Sequence, residues 1–290
     1  MFQFQLILSG LALGCIYSLV ALGYNITFTT SKTLNFAQGS AMMLGAVATL
    51  LLVVDLGWPW PAAIAGAVVL LAGFGLALER LAVRPFLRRG SMAWVMSTLA
   101  VGIILENVAL LVFGKSPRGL PTALARDPVQ IAGAGIYPLE LLIPAVVLAV
   151  ALGARAFYGS TMLGRALRAT AFDREAALAV GIDFNRMVGL SYALSSVLAA
   201  IGGVLIGPLI GVSSSMGFLI GLKAFAVAII GGLEQPAGVV IAGLLYGVAE
   251  NLVGGHFGSS AKEIFGFSLV ILVLFTRPAG LFGRTTLRRV

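Results

Sequence analysis

Three charged residues stand inside long apolar stretches of this 290-residue chain: Glu106, Lys223 and Glu250. A charge at mid-membrane costs ~2.5–3.5 kcal/mol on insertion scales, so such residues mark ion pairs or solute pathways. Lys223 and Glu250 fall at similar depths of neighbouring segments, which permits an ion pair locking two helices. Turned toward a cavity, the same charges would offer partners of both signs to a zwitterion such as an amino acid. Snorkelling to the interface is the third option. Asn107 and Asn251 each follow one of the glutamates and add hydrogen-bonding capacity. Asn35, Gln38 and Ser40 form a second polar cluster. Asn35 either caps the helix that follows, or the cluster lines a gate or an unwound segment.

Covalent chemistry has little to work with. Cys15 and His256 are the single cysteine and histidine. That excludes an internal disulfide and a multi-cysteine metal site. Cys15 reads as a packing residue within a helix, and His256, beside Gly254-Gly255, as a surface residue. No Gly-x4-Gly-Lys-Ser/Thr phosphate loop occurs, so the chain offers no ATP site and no resident cofactor or metal site.

The elements that position these residues follow from composition. The chain is 59% hydrophobic and 10% charged, against about 25% charged in an ordinary globular domain. A soluble enzyme, a secreted domain and a nucleic-acid-binding module are excluded, because too little polar surface exists to cover the chain. Apolar segments fall at 6–28, 34–54, 60–82, 92–113, 138–157, 187–210, 217–233, 237–254 and 262–276. Backbone polar groups in lipid must be satisfied within each segment, and the runs are too unbroken for barrel strands. The fold class is therefore an all-α integral membrane protein with about eight or nine transmembrane helices. The segments at 34–54 and 217–254 leave room for broken or re-entrant pieces, and 217–233 and 237–254 read equally as two crossings or a re-entrant pair. The N-terminus lacks the positive patch of a signal peptide and reads as the first permanent helix. Glycine spacings at Gly10/Gly14, Gly203/Gly207, Gly207/Gly211 and Gly243/Gly247 are candidate helix contacts.

Charge in the connections orients the chain. Lys32, Arg80, Arg84, Arg88, Arg89, Arg155, Arg165, Arg168, Arg174, Arg186, Arg277, Arg284, Arg288 and Arg289 fall on one side. Only Lys115, Arg118, Arg126 and Lys262 fall on the other. The positive-inside bias makes the first side cytoplasmic, with the N-terminus outside and the C-terminus inside. Trp58 and Trp60 suit an outer interfacial anchor.

The largest polar connection is 158–186. Asp173 is placed to cap a short helix starting near Arg174, Glu175 sits in its first turn where the dipole favours a carboxylate, and Gly181 is placed to end it. This leaves Ala176, Ala177 and Leu178 available to a partner. On pattern alone, a solvated amphipathic connector remains the competing reading.

Glu175-Ala176-Ala177 with Gly181 resembles the cytoplasmic coupling loop of binding-protein-dependent ABC importer permeases. Arg165-Ala166-Leu167-Arg168-Ala169, then Asp173 to Ile182, is similar to permease subunits of the branched-chain amino-acid importer family. Four further stretches carry the resemblance: Thr33 to Gly39 with Met43 to Ala46; Arg84-Pro85 with Arg88, Ser91 and Thr98-Leu99; Gly221 to Phe225 with Ile230 to Leu233 and Gly238; and Arg277 to Gly283. They run in order over nearly the whole chain and resemble the H-type more than the M-type subunit. Two positions depart from the pattern: Gln38 stands where the family commonly has histidine, and Glu106 where glutamine is common.

The resemblance implies a single transmembrane permease domain over 1–290, working in a bacterial cytoplasmic membrane. It implies two cytoplasmic ABC ATPase subunits, a second permease subunit of M-type and a periplasmic solute-binding protein. Arg165, Arg168, Asp173, Glu175, Ala176, Ala177 and Gly181 would couple to the ATPases. Asn35, Gln38, Glu106, Asn107, Lys223 and Glu250 are candidate pathway residues, and the polar outer loop 114–137 would help dock the binding protein. The expected function is import of branched-chain or similar hydrophobic amino acids. Urea, short amides or small aromatic acids are alternatives within the family. An ATP-independent channel or a membrane-embedded enzyme are alternatives outside it; the docking helix argues against the first and the scarcity of catalytic groups against the second.

Overall fold

The computed structural model describes residues 2–131, 134–277 and 280–283. Pro278, Ala279, Arg284, Arg288 and Arg289 lie outside the described residues. Uninterrupted apolar runs fold as helices because the backbone then satisfies itself. The helices are α1 (Phe2–Ser31), α2 (Gln38–Leu50), α3 (Trp60–Leu78), α4 (Arg84–Arg88), α5 (Trp94–Phe113), α6 (Pro138–Ser160), α7 (Met162–Phe172), α8 (Arg174–Ala179), α9 (Phe184–Ile210), α10 (Met216–Gly231), α11 (Pro236–Phe257) and α12 (Ser259–Thr276). Eight helical segments are long and apolar enough to cross a membrane, and α10 is a shorter ninth.

Helices α1, α2 and α9 form the centre, with most of their residues buried, whereas α6 and α12 bury only a few residues each and line the periphery. Helix α1 is apolar on every side, as a helix surrounded by others must be. It packs along α11 and α9. Gly10 faces the Gly247 carbonyl, and Gly14 faces that of Gly243. The two glycine pairs therefore meet each other in an antiparallel crossing. Gly203 lies against Met42 in the same manner, while Gly211 instead ends α9 with φ +78°. A further close approach, between Gly39 of α2 and Gly217 and Gly221 of α10, carries no marked pattern in the sequence.

Loops segregate to two ends. Lys32 pairs with Glu234, and the Arg84 guanidinium donates to the Asn185 carbonyl, at one end. At the other, Arg118 pairs with Asp55 and bridges to Val212, Gln5 reaches Gly135, and Phe2 stacks edgewise on His256. Since Val212 is at one end and Leu233, bonded by Asn25, at the other, α10 crosses, and α11 crosses back. This decides the 217–254 region in favour of two passes.

Two breaks in helical structure carry the site. Helix α1 ends where Lys32 adopts φ 55°. Residues 32–37 are non-helical, and Thr33 bonds Tyr192 two turns inside α9. Helix α2 begins at Gln38, which bonds Ser195 near the middle of α9. With 1.5 Å of rise per residue, Ser195 lies about 16 Å from the start of α9. Helix α2 thus starts inside the membrane, and the segment at 34–54 is helical only from residue 38. Helix α10 likewise starts at Met216, after the non-helical 211–215, and touches the start of α2. Its 16 residues give about 24 Å of helix, short of the ~30 Å hydrocarbon core.

The 83–91 connection is more ordered than a loop. A wide π-turn over Glu79–Val83 leads into α4. The fully buried Glu79 is met by both the Nε and Nη2 of Arg84, at 2.9 and 2.6 Å. The outer loop holds a small antiparallel hairpin, β1 (Val129–Ile131) with β2 (Ala134–Ile136), which the membrane-wide helical reading did not anticipate.

Candidate functional site

Where the starts of α2 and α10 meet, helix α5 passes across them and leaves a groove. Its inner chamber, a cavity of about 90 Å3, is lined by Tyr24, Phe36, Leu99, Ile103 and Phe225, with Gly39, Gly217 and Gly221 as bare backbone. Ser40 and Glu106 are its polar lining. Glu106 also lines a second cavity of about 320 Å3, with Asn107, Leu110, Lys115, Ser214 and Ser215. Glu106 therefore stands at the junction of an apolar chamber and a polar mouth. Leu99, Ile103, Glu106 and Leu110 recur at helical spacing, so one stripe of α5 forms the wall.

Glu106 is half-buried. Its one hydrogen bond among the described residues is a long one of 3.4 Å from the Ser40 hydroxyl, which also lies 3.3 Å from the Gly102 carbonyl. No lysine or arginine among the described residues lies within 4.0 Å of it. Asn107 is exposed and bonds its own helix at Ile103.

The other candidate pathway residues are placed elsewhere. Asn35 and Gln38 are fully buried and bond each other, outside the lining of either cavity. Asn35 does not cap α2. Its Oδ1 accepts from the Ala37 N–H at 3.1 Å, one residue ahead of the helix, forming a local turn, and Ala37 is the capping position. Gln38 fits because Gly23 opposite has no side chain: a Cβ there would lie 1.9 Å from Gln38 Nε2. Asn251 ties α11 to the Leu6 carbonyl of α1.

Lys223 Nζ lies 2.6 Å from Glu250 Oε1 and 2.8 Å from Glu263 Oε1. The expected pair is thus a group of three joining α10, α11 and α12. Glu263 escaped notice because it sits near the end of its segment, where a charge raises no question. Neither Lys223 nor Glu250 lines the two cavities, so this geometry matches the helix-locking option.

At the arginine-rich end, the 158–186 connection folds as two helices. Helix α7 buries Gly164, Leu167 and Thr170 along one stripe, leaving Arg165 and Arg168 exposed. Asp173 Oδ1 accepts from the N–H groups of Glu175 and Ala176, capping α8. Gly181, at φ +83°, ends it: its N–H donates to Leu178 and that of Ile182 to Ala177, the paired bonds of a left-handed C-terminal cap. Glu175, Ala176 and Leu178 are exposed. Ala177 is buried, 4% exposed, because α8 folds back on its neighbours with that face. The expectation that Ala177 is available to a partner is corrected accordingly.

A family model described as branched-chain amino acid transport system / permease component matches residues 6–275. The high-affinity branched-chain amino acid transport system permease protein BraD of Pseudomonas aeruginosa is 33% identical, with 99% of this chain and 97% of that protein covered. LivH of Escherichia coli K12, of the same description, is 31% identical over the same shares. A probable branched-chain amino acid transport permease protein of Methanocaldococcus jannaschii is 28% identical over 91% of this chain and 88% of its own length.

Proposed function

This chain belongs to the family of branched-chain amino acid transport system permease components, and on that premise we propose that it is the H-type membrane subunit of an ATP-driven importer for branched-chain or related hydrophobic amino acids. The observation that carries the reading is α8. A six-residue helix capped at both ends, exposing Glu175, Ala176 and Leu178 beyond the bundle, is a rigid projection of the kind an ATPase cleft can hold. An ATP-independent channel has no use for one.

The rest of the assembly follows from the same premise. Two ABC ATPases take up α8 and its counterpart on a second, M-type permease subunit. A periplasmic solute-binding protein delivers cargo to the end carrying the 114–137 loop. The membrane is the cytoplasmic one, with the N-terminus outside and the C-terminus inside, since the arginine-rich connections gather at the α8 end. ATPase closure shifts rigid helices between two arrangements and so alternates access to the pathway. The permease makes and breaks no covalent bond in this cycle.

The test is reconstitution of the complete complex in proteoliposomes with its binding protein. Leucine uptake that requires ATP and both ATPases is the expected result. Uptake that proceeds without ATP would overturn the importer reading in favour of a channel.

A further inference from the structure

Resting on the importer reading, we propose that the outward face of α5 is the contact surface for the second permease subunit, and that Asn107 is the residue that hydrogen-bonds across it. The exposed side chains of α5 include one stripe, Ile103, Ile104, Asn107, Val108 and Leu111, at the three- and four-residue spacing of a single helix face. Asn107 stands in its middle. Helix α5 ends at Phe113, so at 1.5 Å of rise per residue Asn107 lies about 9 Å below the outer end of the helix. Its Nδ2 donates to the Ile103 carbonyl at 2.8 Å, and its Oδ1 meets no donor among the described residues. Glu106, beside it, is half-buried and has no cation within 4.0 Å among the described residues.

Two other helices differ from α5 in this respect. Every exposed residue of α3 from Pro61 to Ala77, and of α6 from Leu141 to Leu152, is apolar. Acyl chains offer no donor to a carboxamide or a carboxylate, and a polar group left unsatisfied in hydrocarbon is costly. Helices α3 and α6 are therefore fit to face lipid, and α5 is not. A neighbouring helix that brings donors satisfies both groups, and asparagine is among the side chains that join helices within a membrane. Charge decides which neighbour. A second copy of this chain, related by a twofold axis through this face, would present the same patch to itself. Carboxylate would then approach carboxylate with no cation from either copy, which is repulsive. A different subunit that carries donors or a positive charge is complementary, and the second permease subunit is the membrane-embedded partner of that kind.

The complete complex in native membranes supplies the test. Benzoylphenylalanine replaces Val108 or Leu111, which are 50% and 85% exposed, and in a control it replaces Leu148 of α6, 60% exposed. Illumination should join the chain to the second permease subunit from positions 108 and 111 and not from 148. Asn107→Leu should lower the amount of second subunit recovered with the tagged chain several-fold, and Asn107→Gln, which keeps a carboxamide, should lower it less. The melting temperature of the chain alone in detergent should not change, because Asn107 bonds only its own helix among the described residues. Photoproducts at 108 and 111 confined to lipid or to a second copy of this chain, or wild-type recovery with Asn107→Leu, would each overturn the proposal. A wild-type chain that recovers no second permease subunit sinks the importer reading instead, and photoproducts confined to lipid then count separately against this surface.

Discussion

Gln38 and Ser195 bond each other twice: the Gln38 amide donates to the Ser195 carbonyl at 3.0 Å, and the Ser195 hydroxyl donates back to Gln38 Oε1 at 2.8 Å. This reciprocal pair fixes the start of α2 against the middle of α9. Gln38→Leu removes both bonds and strands the Ser195 hydroxyl and Asn35 amide in a dry interior, a loss of about 1–3 kcal/mol. Histidine, with one donor and one acceptor nitrogen, should retain more of the contact. Melting temperatures in detergent should rank wild type, then Gln38→His, then Gln38→Leu. Equal melting of the two variants would show that the pair contributes nothing.

Lys223 serves two carboxylates, so the three charges respond unequally to removal. Lys223→Met leaves Glu250 buried without a cation and should cost about 3–5 kcal/mol. Glu250→Gln should cost less, because Lys223 keeps Glu263 at 2.8 Å. Exchanging Lys223 with Glu250 should restore stability only in part, since position 223 would then present a carboxylate to Glu263. Full recovery by the exchange would reduce the trio to a pair.

Helices α1 and α11 touch backbone to backbone. A Cβ on Gly247 would lie 2.4 Å from the Gly14 Cα. Gly247→Val should therefore separate the helices at a cost of about 1–3 kcal/mol or more, seen as lowered yield of monodisperse protein. Gly73→Ala, with nothing within 4 Å of the added carbon, serves as the control and should behave as wild type.

Helix α8 divides into a buried and a free side. Leu178→Asp changes a side chain that is 49% exposed and should leave stability within about 0.5 kcal/mol, while ATPase association and uptake fall sharply. Ala177→Leu should instead disturb the fold of the connection itself. If Leu178→Asp associates and transports normally, α8 is not the point of contact.

Much of this architecture was legible from local rules. Long apolar runs, the Asp173 cap and Gly181 each act within a few residues, and the structure places them accordingly. The meeting of Gly10/Gly14 with Gly243/Gly247 was visible as two separate spacings, though not as partners. What stayed hidden depends on placement across the fold. Gln38 was visible as a polar residue, but its tie to Ser195 and the vacancy at Gly23 that admits it need α9 and α1 to be located. The third member of the Lys223 group needed α12 to be located. Ala177 could be assigned to the free face only while the return of α8 onto its neighbours was unknown. The start of α2 inside the membrane depends on tertiary bonds from Thr33, Asn35 and Gln38, which hydropathy does not register.

Helix α10 has a consequence for how the chain is made. It is only 16 residues long, and its lysine meets its carboxylates 27 and 40 residues later in the chain. While the ribosome is still extending toward Glu250, Lys223 would enter the bilayer as a bare cation. The translocon therefore faces a segment that is poorly retained until its successors emerge. Nascent chains released between Gly231 and Glu250 should leave α10 accessible to protease, and chains extended past Glu263 should protect it.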